Sequence, residues 1–309
     1  MESIREGARR RSRRTFTSRL MLALLAALLL AVAALAAAAP AGAAAKPGKP
    51  TAKAPKGPIT TAKPTFTWSK AARATRYELR VYKGSTLLLK KAGISKRSWT
   101  SSKSLPKNVA LTWKVRARNA RGLGTWSRSL SFEVALAIGD SYEGGKVAYL
   151  LQSGDPGYVQ GQVHGLIAAG ADQSASAVWS NIAGTVIGAA AQGLAIGTGR
   201  ANTTAIVGQT VGDEHCTRGA AYLCDNLVEG GHDDWYLPSR DELNQLYVSQ
   251  SAIGGFNPTG YYAYYWSSSE GVGELDPSLS IAWGQYFYDG RQFTDYKTNI
   301  HAVRAVRAF

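Results

Sequence analysis

The chain has 309 residues, enough for two domains, and its 36 basic and 21 acidic residues give a formal net charge of +15 at pH 7. Residues 46–134 carry twenty-one basic and two acidic residues, whereas residues 135–309 carry eight and seventeen. These stretches have net charges of +19 and −9, which excludes a uniformly basic protein and predicts a domain boundary near residue 134.

Residues 1–45 have the pattern of an export signal. An Arg-rich start precedes an apolar run from Leu20 to Ala39, and small residues follow up to Ala45. Residues 12–16, Ser-Arg-Arg-Thr-Phe, resemble a twin-arginine signal, and an ordinary Sec signal with additional arginines fits equally well. We expect a secreted or cell-surface protein, with retention of Leu20 to Ala39 as a membrane anchor as the alternative to cleavage.

Residues 46–58 are rich in Pro, Lys and Ala and have no apolar periodicity, which predicts an extended, solvated linker. From residue 59 to residue 134, apolar and polar residues alternate in short runs, as is typical of half-buried strands. Turn residues such as Lys83-Gly84-Ser85 separate the runs. This pattern predicts an all-β antiparallel sandwich over 59–134.

Residues 135–309 are richer in Gly, Tyr and acidic residues, and the pattern predicts helices within an irregular sheet, an α+β domain. Helices are expected at 202–207, at 218–227 and after Ser239. The third has the strongest local signal, because Ser239 and Glu242 have the spacing of a capping box and Leu243 and Leu246 follow at helical spacing.

The first predicted domain carries Pro64-Thr65-Phe66-Thr67-Trp68 and, further on, the segment from Trp113 to Ser127. Together these stretches resemble bacterial fibronectin type III domains over about 75 residues. The resemblance implies a sandwich that serves as a spacer.

The second predicted domain contains four distinctive motifs, which are Asp234-Trp235-Tyr236-Leu237-Pro238-Ser239, Tyr265-Trp266-Ser267-Ser268-Ser269-Glu270, Ala282-Trp283 and Val303-Arg304-Ala305-Val306-Arg307. Through these motifs the domain resembles the Lcl C-terminal domain family, which takes its name from the end of a bacterial collagen-like adhesin. The resemblance covers nearly all of residues 139–309. It implies a C-type-lectin-like fold and an exported adhesive protein, whose naming member binds sulfated polysaccharide.

Glycan binding requires aromatic surface beside polar groups, and loop residues are the best candidates for it. The predicted ligand-binding residues are Tyr261, Tyr262, Glu270, Glu274, Asp276, Tyr288, Asp289 and Arg291. Of these, Glu270, Glu274 and Asp276 lie in a stretch broken by Gly and Pro. Such oxygen ligands could hold calcium, with a solvated acidic loop as the alternative. The Glu-Pro-Asn and Trp-Asn-Asp signatures of calcium-dependent lectins are absent from the sequence.

Cys216 and Cys224 are the only cysteines. An even pair in an exported chain predicts a disulfide. Eight residues of continuous helix would place their Cα atoms about 12 Å apart, which is too far for a bridge. The bond therefore requires Cys216 to lie before the helix.

We expect an exported binding or adhesion protein that recognises an extracellular ligand such as a glycan and performs no catalysis. Motifs for hydrolases, zinc proteases and phosphate loops are absent from the sequence. The alternatives are a divergent enzyme with the same fold and a non-binding structural envelope protein. The basic domain could bind an anionic cell-wall polymer through its charge, without specific recognition of nucleic acid.

Overall fold

The computed structural model describes residues 45–257, 264–273 and 280–309, and the chain divides into two compact units. The second unit runs from Val134 to Phe309 and also includes two short segments, Thr60–Ala62 and Leu105–Asn108. The predicted export signal lies outside the described residues except for Ala45. Within the described ranges, no helix is long and apolar enough to cross a membrane.

The first unit is a sandwich of two sheets, as predicted. Its strands are β1 (Ala52–Ala54), β2 (Gly57–Ile59), β3 (Thr65–Trp68), β4 (Arg76–Lys83), β5 (Thr86–Ile94), β6 (Ser98–Thr100), β7 (Ala110–Asn119), β8 (Gly122–Leu123) and β9 (Leu130–Val134). One sheet has the order β1-β3-β6, and the other has the order β2-β9-β7-β4-β5 with β8 paired to β7.

Alternation along β7 explains how the two sheets pack. Its inward residues Trp113 and Val115 are fully buried, whereas Lys114 and Arg116, which alternate with them, remain partly exposed. The rings of Phe66 in β3 and Trp113 meet edge to face at 5.1 Å, which joins the two sheets through aromatic packing.

Residues 46–58 are not the solvated linker that the sequence predicts, because they supply β1 and β2 of the sandwich. The Gly48 amide donates to the Ala72 carbonyl at 2.9 Å, and the Trp113 indole donates to the Pro55 carbonyl at 2.9 Å. Backbone hydrogen bonds and buried prolines hold this segment in the sandwich. Because alternating apolar side chains do not hold it, its sequence has no apolar periodicity.

The second unit is built mainly from sheet, with short helices. Its strands are β10 (Ser141–Tyr142), β11 (Gly145–Leu150), β12 (Gly165–Ala168), β13 (Ser174–Ala177), β14 (Thr210–Val211), β15 (Glu214–His215), β16 (Tyr264–Glu270), β17 (Ile281–Tyr286), β18 (Gln292–Tyr296), β19 (His301–Val303) and β20 (Val306–Ala308). The sheets have the orders β10-β11-β12-β20 and β13-β19-β16-β17-β18, and β14 and β15 form a separate pair. The helices are α1 (Gly199–Val207), α2 (Ala220–Asp225), α3 (Arg240–Val248) and α4 (Gln250–Ile253), with a 3-10 turn at Ala189–Ala191.

The predicted capping box at the start of α3 is confirmed. The Glu242 amide donates to the Ser239 hydroxyl, and the Ser239 amide donates to the Glu242 carboxylate at 2.8 Å. Glu242 is fully buried and also accepts from the Gly197 amide at 2.9 Å and the Tyr236 hydroxyl at 3.2 Å. The cap therefore fixes the loop before α1 as well as α3 itself.

The prediction of a disulfide is wrong: Cys216 and Cys224 are both free thiols, and both are buried. Cys216 does precede the helix, as a bridge would require, but its thiol lies 3.5 Å from the Ser180 hydroxyl. Cys224 lies in α2 among core residues, and burial raises the pKa of its thiol well above the usual value. The two side chains thus face different neighbours.

Candidate functional site

One face of the β16–β17–β18 sheet carries a row of aromatic residues. Tyr264 of β16 pairs with Tyr286 of β17, and Gly284 of β17 pairs with both Trp266 and Phe293. Residues paired across strands point to the same face of a sheet. The register therefore brings rings from three strands to one surface.

These rings line an open concavity of about 490 Å³, here called the aromatic groove. Tyr264 stacks on Tyr286 with ring centres 4.4 Å apart, and it meets Phe293 edge to face at 4.8 Å. Both tyrosines and Phe293 are half-buried. The complete lining is Tyr264, Tyr286, Arg291, Gln292, Phe293, Thr294, Asp295 and His301.

The aromatic groove is shaped by the missing side chain at Gly284. A Cβ atom at this position would lie 3.2 Å from the Phe293 ring and 3.0 Å from the Tyr265 carbonyl. Both distances are tighter than ordinary contact. Glycine therefore allows Phe293 to lie close to the strand.

Polar and charged side chains lie next to the aromatic rings of the groove. His301 Nε2 lies 2.9 Å from the Asp295 carboxylate, which also accepts from the Asn299 amide group at 2.7 Å. Burial lowers the pKa of His301, and the hydrogen bond with Asp295 opposes that shift. Arg291 lies over the Tyr286 ring at 6.0 Å. The aromatic groove thus combines flat apolar surface with a carboxylate and a guanidinium, both held in place.

The structure places Glu270 differently from the prediction. It ends β16 rather than lying in an exposed loop, and its carboxylate is buried with the Lys297 ammonium 2.5 Å away. The amides of Ile187 and Gly188 also donate to it, at 2.8 Å and 2.6 Å. Both oxygens are engaged inside the fold, so neither faces a surface ligand.

Tyr288, Asp289 and Arg291 occupy the turn between β17 and β18, at one end of the aromatic groove. Tyr288 is 67% exposed, and its ring centre lies 5.8 Å from that of Tyr286. The Arg291 amide and guanidinium both donate to Asp289 and lower its pKa. The structure therefore brings three predicted residues to the edge of one site.

The other predicted residues, Tyr261, Tyr262, Glu274 and Asp276, lie outside the described residues. Within the described ranges, no group of three or more His, Cys, Asp or Glu side chains could hold a metal ion. The calcium prediction for Glu274 and Asp276 stays a prediction.

Sequence reasoning did not select Tyr264, Tyr286, Phe293, Asp295 or His301 as site residues. The sequence pattern favours loop residues as ligand-binding candidates, whereas these five residues lie in strands. The available signal was period-two spacing, which places Phe293 and Asp295 on one face of β18. Only the strand pairing shows that this face is the one shared with Tyr264 and Tyr286.

Residues 170–307 match the Lcl C-terminal domain family, and this range includes the whole aromatic groove. Similar solved structures include the FN5 domain of Drosophila Lar, with 18% identity over 29% of this chain and 99% of that chain (TM-score 0.25). Another is a Fn3-like protein from Clostridium thermocellum, with 15% identity over 30% of this chain and 95% of that chain (TM-score 0.23). No curated protein matches the chain in sequence.

The chain therefore combines a two-sheet sandwich with a region that matches the Lcl C-terminal domain family.

Proposed function

We propose that the second unit is a C-type-lectin-like binding module that takes an extracellular glycan in the aromatic groove. The observation that carries the proposal is the set of rings from Tyr264, Tyr286 and Phe293 beside the Asp295 carboxylate. A sugar ring offers C–H groups to an aromatic surface and hydroxyls to a polar one, and ligand sites combine apolar walls with a few placed polar groups.

Charge favours a neutral glycan over a sulfated one. Residues 135–309 carry a net charge of −9, which repels polyanions. In the aromatic groove the Arg291 guanidinium is already paired with Asp289 at 2.6 Å. The Asp295 carboxylate is suited to accept hydrogen bonds from hydroxyl groups.

The setting of this module is proposed to be the cell surface or the extracellular space. The match of residues 170–307 to the Lcl C-terminal domain family supports this assignment. The sequence pattern of residues 1–45 supports it independently.

A glycan array probed with the full chain, in calcium and in chelator, tests the proposal. We expect a restricted set of neutral glycans to bind, and their dependence on calcium would report on Glu274 and Asp276. A blank array under both conditions would contradict the proposal and favour a structural envelope protein. Hydrolysis of a bound glycan that stops in His301→Gln would instead favour an enzyme.

A further inference from the structure

The outward face of the first unit carries a dense array of cations on three adjacent strands. Arg76 pairs with Arg118 across β4 and β7, and Arg80 pairs with Lys114 on one side and Lys90 on the other. With Arg116, which is paired with Glu78, these residues are here called the basic ladder: Arg76, Arg80, Lys90, Lys114, Arg116 and Arg118. Like charges placed opposite each other on neighbouring strands repel, so this arrangement costs stability.

Aromatic rings contact three cations of the basic ladder. Trp126 lies under three of them, with Arg116 4.3 Å, Arg80 5.0 Å and Lys114 5.3 Å from its ring. Lys114 also lies 5.0 Å from the Tyr82 ring. These contacts attract cations without neutralising them.

Among the described residues, Glu78 is the one carboxylate paired within the basic ladder. It is 6% exposed and accepts from Arg80 at 2.9 Å and from Arg116 at 2.6 Å. Although burial acts to raise the pKa of Glu78, the bonds from Arg116 and Arg80 lower it overall. One carboxylate against six cations leaves the face strongly positive, with two guanidiniums held rigidly.

We propose that the basic ladder binds a linear, flexible phosphodiester polymer of the cell envelope. Alternate residues of a strand lie about 7 Å apart, so Lys114, Arg116 and Arg118 present regularly spaced charges along β7. Four of the six cations are arginines, and Arg76 and Arg118 are not paired with Glu78. Their planar guanidiniums can bind phosphate oxygens bidentately. This binding is independent of the aromatic groove and of its glycan.

The test is affinity for poly(glycerol phosphate), measured with the full chain at several salt concentrations. The variant K90Q/K114Q/R118Q removes three exposed or partly exposed cations of the basic ladder and leaves the buried Glu78 pairing intact. The matched control, K70Q/K96Q/K103Q, removes three exposed lysines of the same unit that lie in loops. Calorimetric unfolding of both variants checks that the sandwich is retained.

We expect the ladder variant to lose at least tenfold in affinity and the control to lose much less. The slope of log affinity against log salt should become shallower by about 2 in the ladder variant, since each phosphate contact contributes about 0.7. Equal losses in the two variants would overturn the proposal. Tighter binding to heparin or to single-stranded oligodeoxythymidine than to poly(glycerol phosphate) would overturn the assigned polymer class.

Discussion

The buried pair of Lys297 and Glu270 gives the sharpest test of how the second unit is held together. Both side chains are fully buried and lie 2.5 Å apart, and Lys297 also donates to the Thr185 carbonyl at 2.9 Å. Burial lowers the pKa of Lys297, while the bond to Glu270 opposes the shift. Lys297→Met leaves the Glu270 carboxylate buried without its cation.

Breaking a buried ion pair by removing one partner costs about 3–5 kcal/mol, which corresponds to a Tm decrease of roughly 6–20 °C in a unit of this size. The matched control is Arg291→Met, which breaks an ion pair with a similar distance of 2.6 Å but an arginine side chain 75% exposed. Exposed pairs contribute little to stability, so Arg291→Met should lower the Tm far less than Lys297→Met does. Scanning calorimetry of the full chain measures both variants.

The double variant Lys297→Met/Glu270→Gln separates charge burial from lost packing. The glutamine side chain is neutral and keeps one acceptor oxygen for one of the two amides, that of Ile187 or that of Gly188. Because no buried charge is left unpaired, the double variant should be more stable than Lys297→Met alone. If Lys297→Met cost no more than Arg291→Met, the reasoning from burial would be refuted.

Three further predictions concern the α3 cap and the cysteines. Gly199→Ala would place a Cβ atom 2.2 Å from the Glu242 carboxylate and 2.7 Å from the Ser239 amide, and this clash should lower the unfolding free energy measured by calorimetry by about 1–3 kcal/mol. The control is Gly184→Ala, because Gly184 has open space around it. Equal stability of the two variants would contradict the structure. Burial raises the pKa of Glu242 above the usual 4.5, although hydrogen bonds from Ser239 and Gly197 oppose the shift. The folded chain therefore keeps a proton on Glu242 that the unfolded chain loses. The unfolding free energy should fall as the pH rises above 4.5. Glu242→Gln keeps the capping box and should remove this dependence in urea titrations; a difference from wild type that does not change with pH would contradict the prediction. Alkylation of the unfolded chain without reductant should modify both Cys216 and Cys224, and recovery of an unmodified bridged peptide by mass spectrometry would contradict the free thiols.

The start of α3 could be predicted because its signals are local. Ser239 and Glu242 are three residues apart, and each meets the other's backbone within one turn. The sandwich could be predicted for the same reason, since alternation along β7 is visible in ten residues.

The aromatic groove could not be predicted, because strands that are separated in sequence assemble it. Tyr264 and Tyr286 stack only through the register of β16 and β17, and His301 arrives from β19. Glu270 and Lys297 are 27 positions apart, and nothing near Glu270 in the sequence indicates a buried cation. The sequence therefore favoured an exposed loop position for Glu270.

Titration calorimetry with the strongest glycan from the array tests the central claim most directly. Tyr286→Ala removes the ring that stacks on Tyr264 and faces Arg291, whereas Tyr158→Ala removes a tyrosine of 38% exposure that does not line the aromatic groove. We expect Tyr286→Ala to lose about 2 kcal/mol of binding free energy, roughly 30-fold in Kd, and Tyr158→Ala to bind as wild type. Unchanged affinity in Tyr286→Ala, with its fold intact by calorimetry, would contradict glycan binding in the aromatic groove.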